Sequence, residues 1–156
     1  MEPLLQDRVR PEWVDYNSHM NDAAYARVFS MAVDALMETL GIDEAFRNQQ
    51  NYTIFTLETH LCYLHEVHED APLQVESQVV DHDAKRLHMI FVMKDGEGRR
   101  LATSEQMLMG MDTHNGRPAP FPRMVSERIS KLAEPDQGQS IPDEVGRRIG
   151  IRKKSK

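Results

Sequence analysis

The chain changes its hydrophobic period once, from about 3.6 to 2. Val28, Phe29, Ala32, Leu36 and Leu40 recur at helical spacing, with Arg27, Ser30, Asp34 and Glu38 opposite them. The pattern predicts one long helix from Ala23 to Leu40, stopped by Gly41. Before it, Leu4 to Val14 reads as a short strand. After it the alternation is that of strands. Between Tyr52 and Leu64, Phe55, Leu57, Thr59, Leu61 and Tyr63 are expected on one face and Thr56, Glu58, His60 and Cys62 on the other. Leu73 to Val80 and Lys85 to Met93 follow, then a hairpin turn at Asp95-Gly96-Glu97-Gly98, then Leu101 to Met111. Gly116 to Pro122 is a stiff Pro-rich exit. Val125 to Leu132 reads as a short helix, and the text after Ala133 as loosely ordered.

This order places the chain in the α+β class. It predicts an antiparallel five-stranded sheet wrapped around one long central helix, because a meander with one apolar face needs a cover and only one long helix is available. One helix cannot shield five strands, so a homodimer or dimer of dimers is expected. The main domain is expected over residues 1–122. Residues 123–156 form a C-terminal extension, a short helix followed by a basic tail.

The length of 156 residues suits one domain with a real core. No apolar run is long enough to cross a membrane, and the N-terminus lacks the basic and apolar regions of a signal peptide. The single cysteine, Cys62, excludes an internal disulfide and suits a reducing compartment, so a cytoplasmic protein is expected. The net charge of −6 is uneven: the last ten residues hold six Lys/Arg and no acid, leaving 13 basic against 25 acidic residues, or −12, on the rest. So acidic a body argues against nucleic-acid binding. The tail reads as a solubilising end, with contact to phosphates as the alternative.

The stretch with most chemical content is Asp15-Tyr16-Asn17-Ser18-His19-Met20-Asn21-Asp22, which leads into the helix. It sets a carboxylate, an amide and an imidazole beside free backbone N–H groups of a first helical turn. A carboxylate serves as base or nucleophile, and such N–H groups hold a developing oxyanion. The same residues also fit a plain capping turn, with Asn21 or Asp22 as N-cap and Asp15 and Asn17 as turn formers.

Asp15-Tyr16-Asn17-Ser18-His19-Met20-Asn21, followed by Tyr25, resembles the D-x-N-G-H-M-N…Y signature of hotdog-fold acyl-CoA thioesterases of the 4-hydroxybenzoyl-CoA thioesterase type. Ser18 stands where the signature carries glycine. The resemblance spans roughly Val9 to Asp112. Trp13-Val14-Asp15-Tyr16-Asn17, Leu57-Glu58-Thr59-His60-Leu61, Asp83-Ala84-Lys85-Arg86-Leu87-His88 and Ala102-Thr103-Ser104-Glu105-Gln106-Met107-Leu108 further resemble the thioesterase module found with bacterial carnitine dehydrogenases.

The resemblance implies a hotdog fold and hydrolysis of a small acyl-CoA without metal or redox cofactor. Betainyl-CoA is the expected substrate, giving glycine betaine and CoA. It implies Asp15 as catalytic carboxylate, oriented by Asn17 and His19, with backbone N–H groups of Asn21, Asp22 and Ala23 polarising the carbonyl. Glu58 and His60 share one strand face and are the alternative catalytic pair, against a plain exposed polar face. His60, His65 and His68 with Glu58 fit no strong zinc spacing. Lys85 and Arg86 are candidates for the CoA phosphates. Trp13, Tyr16, Tyr25 and Tyr63 suit a trimethylammonium group, which aromatic faces hold without hydrogen bonds; core packing fits them as well. Another acyl-CoA substrate, or a non-catalytic acyl-CoA-binding module, are the rival readings.

Overall fold

The computed structural model describes residues 3–153. Met1 and Glu2 of the N-terminal reading and residues 154–156 of the basic tail lie outside the described residues. The element order is β1 (Leu5–Arg8), a 3-10 turn (Pro11–Trp13), α1 (Asp22–Thr39), α2 (Glu44–Gln50), β2 (Tyr52–Tyr63), β3 (Pro72–His82), β4 (Arg86–Asp95), β5 (Arg100–Asp112), β6 (Arg117–Pro118), α3 (Arg123–Ala133) and a second 3-10 turn (Glu134–Asp136). All strand pairs are antiparallel, in the order β1-β3-β4-β5-β2, with β6 on β5.

Helix α1 forms where the 3.6-residue pattern places it. Asn21 caps it by accepting the Ala24 N–H, and Gly41, at φ 83°, turns the chain away past its end. Its buried Val28, Phe29, Ala32 and Leu36 share one core with Leu73, Val75, Leu87, Met89, Phe91, Met93 and Leu108 of the sheet. Fully burying side chains such as Phe29 and Leu36 contributes ~1.5–3 kcal/mol each.

Three expectations are corrected. Among the described residues the sheet has six strands, because two residues after the Asp112 turn pair back onto β5. The first strand stops at Arg8, where Pro11 opens a 3-10 turn. Helix α2 lies outside the sequence pattern: capped by Asp43 and ended by Asn51 at φ 50°, it buries none of its residues and leaves no periodic signal. Helix α3 buries Val125, Ile129 and Ala133 in the same core as α1. The segment after it holds no helix or strand beyond the Glu134–Asp136 3-10 turn but is tied down. Asp136 Oδ2 accepts the Val79 N–H at 2.9 Å, the Ser140 carbonyl accepts from Gln78 Nε2 at 3.3 Å, and buried Glu144 pairs with Arg100.

One irregularity decides which side chains reach the helix. Thr56 pairs with Leu108 but Glu58 pairs with Met107, so β2 carries an extra residue, Leu57, against one step of β5. Before the bulge, Tyr52, Ile54 and Thr56 face α1. After it Thr59, Leu61 and Tyr63 do, opposite Gln106, Ser104 and Ala102, while Glu58, His60 and Cys62 turn to the outer face. The two-faced alternation expected over the whole strand therefore holds only beyond Leu57.

The Tyr52 hydroxyl donates to the Ala119 carbonyl at 3.0 Å, across Gly110, where a Cβ would lie 1.9 Å from that hydroxyl. Burial raises the Tyr52 phenol from 10.0 to about 12. The unfolded chain thus releases this proton near pH 10 while the folded chain keeps it to about pH 12. Stability should fall as pH rises through that window and level off above it. Urea unfolding from pH 9 to 12 should show a shallower decline for Tyr52→Phe than for the parent; equal slopes would remove Tyr52 as a source. Gly110→Ala should lower Tm by several degrees, from a loss of ~1–3 kcal/mol.

Candidate active site

The loop before α1 is built by Asp15. Its Oδ1 accepts the backbone N–H of Asn17 at 2.8 Å and of His19 at 3.3 Å, while its own N–H and C=O bond to His19 and Ser18 at 2.9 Å. Val14 bridges to Met20, closing a miniature hairpin whose corner is Ser18 at φ 62°. His19 bridges to His68, and the Met20 N–H reaches the Val67 carbonyl, pinning the loop to the β2–β3 connection. Asp15 Oδ2 has no partner among the described residues.

The neighbouring amides are not all free. Asn21 N–H donates to the Trp13 carbonyl at 2.9 Å, which removes it from the expected oxyanion set. Ala23 N–H turns to the Asp22 carboxylate at 3.0 Å. Asp22 N–H, first in the helix, has no partner among the described residues. The capping role is Asn21's, and Asp15 forms the turn before it.

Tyr25 and Tyr63 meet edge to face, with centroids 5.2 Å apart. Their hydroxyls donate to the carbonyls of His65 and Asp22. Burial first, then Glu66 for Tyr25 and Asp22 for Tyr63, raises both phenols, so each keeps its proton at neutral pH. They line a cleft of about 310 Å³ with His19, Asp22 and Glu66. His19 also stacks at a tilt on His68 and sets Nε2 3.3 Å from Glu66.

The other two aromatics differ. Trp13 is buried, and the Arg10 guanidinium already covers its ring at 4.6 Å, so it is not free to hold a ligand cation. Tyr16 is 95% exposed at the loop tip.

A separate cavity of about 420 Å³ lies along the seam between α1 and the sheet. Phe29 and Ser30 line it on one side and Thr56, Thr59, Ser104 and Gln106 on the other. Gln106 is buried, donating to Ser104 Oγ at 3.0 Å and accepting from Thr56. These polar residues were not singled out from sequence. The available signal was Ser104 and Gln106 sharing a strand face with Ala102 and Leu108.

Glu58 and His60 are not brought to Asp15. The bulge sends them to the outer face, into a cleft of about 300 Å³ with His88, Glu105 and Arg147. Glu105 there bonds His88 Nε2 at 2.7 Å. The positive cluster expected from Lys85 and Arg86 is not formed. Arg86 is held by Asp83 at 2.6–2.7 Å; that hydrogen bond lowers the Asp83 carboxyl to about 2, and both groups are exposed. Asp81 and Asp83 line the shallow cleft beside Arg86. Among the described residues no group of three His, Cys, Asp or Glu side chains is placed to hold a metal ion.

A curled antiparallel sheet on a helix, with a carboxylate loop at that helix's N-terminus, is the hotdog arrangement of thioester-processing proteins. Residues 9–129 match the model of the Thioesterase-like superfamily, and the chain belongs to that family. It is 46% identical to a betainyl-CoA thioesterase of Pseudomonas aeruginosa, over 92% of this chain and 91% of that one. It is 32% identical to an L-carnitine dehydrogenase/betainyl-CoA thioesterase of Rhizobium meliloti, covering 94% of this chain but 30% of that longer protein. A Staphylococcus aureus protein solved in complex with CoA superposes with a TM-score of 0.90 at 32% identity, covering 95% of this chain and 94% of that one. The DHNA-CoA thioesterase of the same organism shares the fold at a TM-score of 0.76 and 16% identity, over 88% and 95% of the two chains.

Ser18 holds the left-handed conformation that costs an L-residue ~1–2 kcal/mol and glycine little. Ser18→Gly should leave Tm level or raise it by a few degrees, and Ser18→Val should lower it. A Tm for Ser18→Val equal to the parent's would show that the corner is not held in this conformation.

Proposed function

We propose that the chain hydrolyses betainyl-CoA to glycine betaine and CoA, with Asp15 as its catalytic carboxylate. The observation that carries the assignment is the split use of Asp15: two backbone N–H groups fix Oδ1, leaving Oδ2 without a partner at the start of α1. Oδ2 takes a proton from water, the water oxygen adds to the thioester carbonyl, and the carbon–sulfur bond breaks. The proton then passes to the departing thiolate. Direct attack by Oδ2, giving an acyl-enzyme anhydride that water opens, uses the same geometry. The Asp22 N–H and the positive end of α1 take the developing oxyanion. Asn17 and His19 act through the loop: their N–H groups hold Asp15 in place.

The acyl cation rests against Tyr25 and Tyr63, with the carboxylates of Asp22 and Glu66 beside it. We read α1 as the central helix that the sheet wraps. The functional unit is a dimer closed along β2, where Phe55, Leu57 and Tyr63 are each about half exposed on an edge strand. No helix among the described residues is long and apolar enough to cross a membrane, and a free-thiol product together with a lone cysteine suits the reducing cytoplasm. Glu58 is the weaker carboxylate candidate because it faces away from α1.

Release of CoA, followed with a thiol reagent, tests this with betainyl-CoA and its neutral isostere 3,3-dimethylbutanoyl-CoA. The parent should prefer the cationic ester, and Tyr63→Leu should cut that preference by about tenfold. Asp15→Asn should lower kcat by ~10²–10⁴-fold, with Tm unchanged because an amide oxygen still accepts both N–H groups. Parent-like turnover by Asp15→Asn would overturn the catalytic assignment. Equal turnover of the two esters by the parent would overturn the cation site, and binding without turnover would make the chain a CoA-binding module.

A further inference from the structure

We infer that the C-terminal strap carries a phosphate-binding site for the nucleotide end of CoA, centred on Arg147. This deepens the acyl-CoA reading and rests on it. The strap lies beyond residue 129, where the family match ends. It leaves α3 at the β3 edge and crosses the outer sheet face through Glu144 on Arg100 and the Gly146 N–H on Glu105 at 2.8 Å. It arrives at Cys62, where the Arg147 guanidinium stands 3.0 Å from the thiol sulfur.

Arg147 is half-buried, yet among the described residues no carboxylate lies within salt-bridge distance of it. A guanidinium with five fixed donors and one neutral sulfur contact has most of its capacity open, and it matches phosphate in two-pronged fashion. His60 lines the same cleft. Of the two carboxylates there, Glu105 is occupied by His88 and the Gly146 N–H, while Glu58 is free and opposes an anion. Arg148, Arg152 and Lys153 follow without an acid, which outweighs that single carboxylate. Lys85–Arg86 is the poorer phosphate site because Asp83 neutralises Arg86.

The test compares betainyl-CoA with betainyl-pantetheine, which has the same reacting end and no phosphates. Arg147→Ala should raise KM for the CoA ester about tenfold, with kcat within twofold and KM for the pantetheine ester unmoved; Arg147→Lys should restore part of the loss. Cys62→Ala, which removes the thiol but keeps the cation, should retain the parent's KM for the CoA ester. Equal KM changes for both esters, or no change for either, would overturn the proposal. Calorimetry with adenosine 3′,5′-bisphosphate reads the site without turnover: the parent should bind it and Arg147→Ala should bind at least tenfold more weakly. If the parent hydrolyses neither ester but still binds the nucleotide through Arg147, the catalytic reading fails and the phosphate site stands. If the parent does not bind it, the site falls.

Discussion

A single extra residue in β2 decides what each face of this protein can do. Strand side chains alternate strictly, so inserting Leu57 exchanges the faces of everything after it. Without the bulge, Glu58, His60 and Cys62 would point at α1 and Tyr63 at solvent. With it, Tyr63 reaches Tyr25 and the first turn of α1, and the seam under the helix is lined by Thr59 and Leu61. The ionisable pair is moved to the outer face, where the C-terminal strap meets it. The aromatic cleft and the outer cleft are two consequences of one register shift.

The loop before α1 works under a second constraint. A carboxylate intended for chemistry has to be held, yet holding it uses its hydrogen-bonding capacity. Under the proposed mechanism Asp15 divides the two tasks between its oxygens: Oδ1 closes the turn and Oδ2 has no partner among the described residues. The helix cap is delegated to Asn21, so Asp15 is not needed there. The same economy explains the corner at Ser18. Five residues must reverse the chain tightly enough for two N–H groups to converge on one oxygen, and that geometry needs a positive φ.

Much of this was legible in the chain because its causes are local. Helix α1, the four long strands and the Asp15 loop follow from period, turn chemistry and a contiguous motif. Three kinds of feature were not. The bulge has no residue signature, since Leu57 fits an unbroken strand as well as a bulged one, and so Thr56, which the unbroken alternation groups with Glu58 and His60, faces the other way. The roles of Trp13 and Arg86 depended on Arg10 and Asp83, two ordinary charged neighbours whose positions the sequence does not fix. The strap's anchors, Asp136, Glu144, Gly146 and Arg147, contribute one contact each and form no pattern in the sequence. Composition describes such a segment poorly when its partners lie on three different strands.

The charge distribution then reads as a sorting of the two ends of the proposed substrate. Betainyl-CoA is cationic at the acyl group and polyanionic at the nucleotide. A body with 25 acidic residues attracts the first and repels the second. Screening confines both effects to about 8 Å at physiological salt, so local placement matters more than net charge. Asp22 and Glu66 stand at the aromatic cleft, and the acid-free run that begins at Arg147 leaves from the opposite face of the same sheet. Distributing basic residues evenly would have weakened the acyl-end field to help the nucleotide. Placing six of the nineteen basic residues in an acid-free run, held to the outer face through Arg147, lets the acidic cleft and the proposed phosphate site act without cancelling each other.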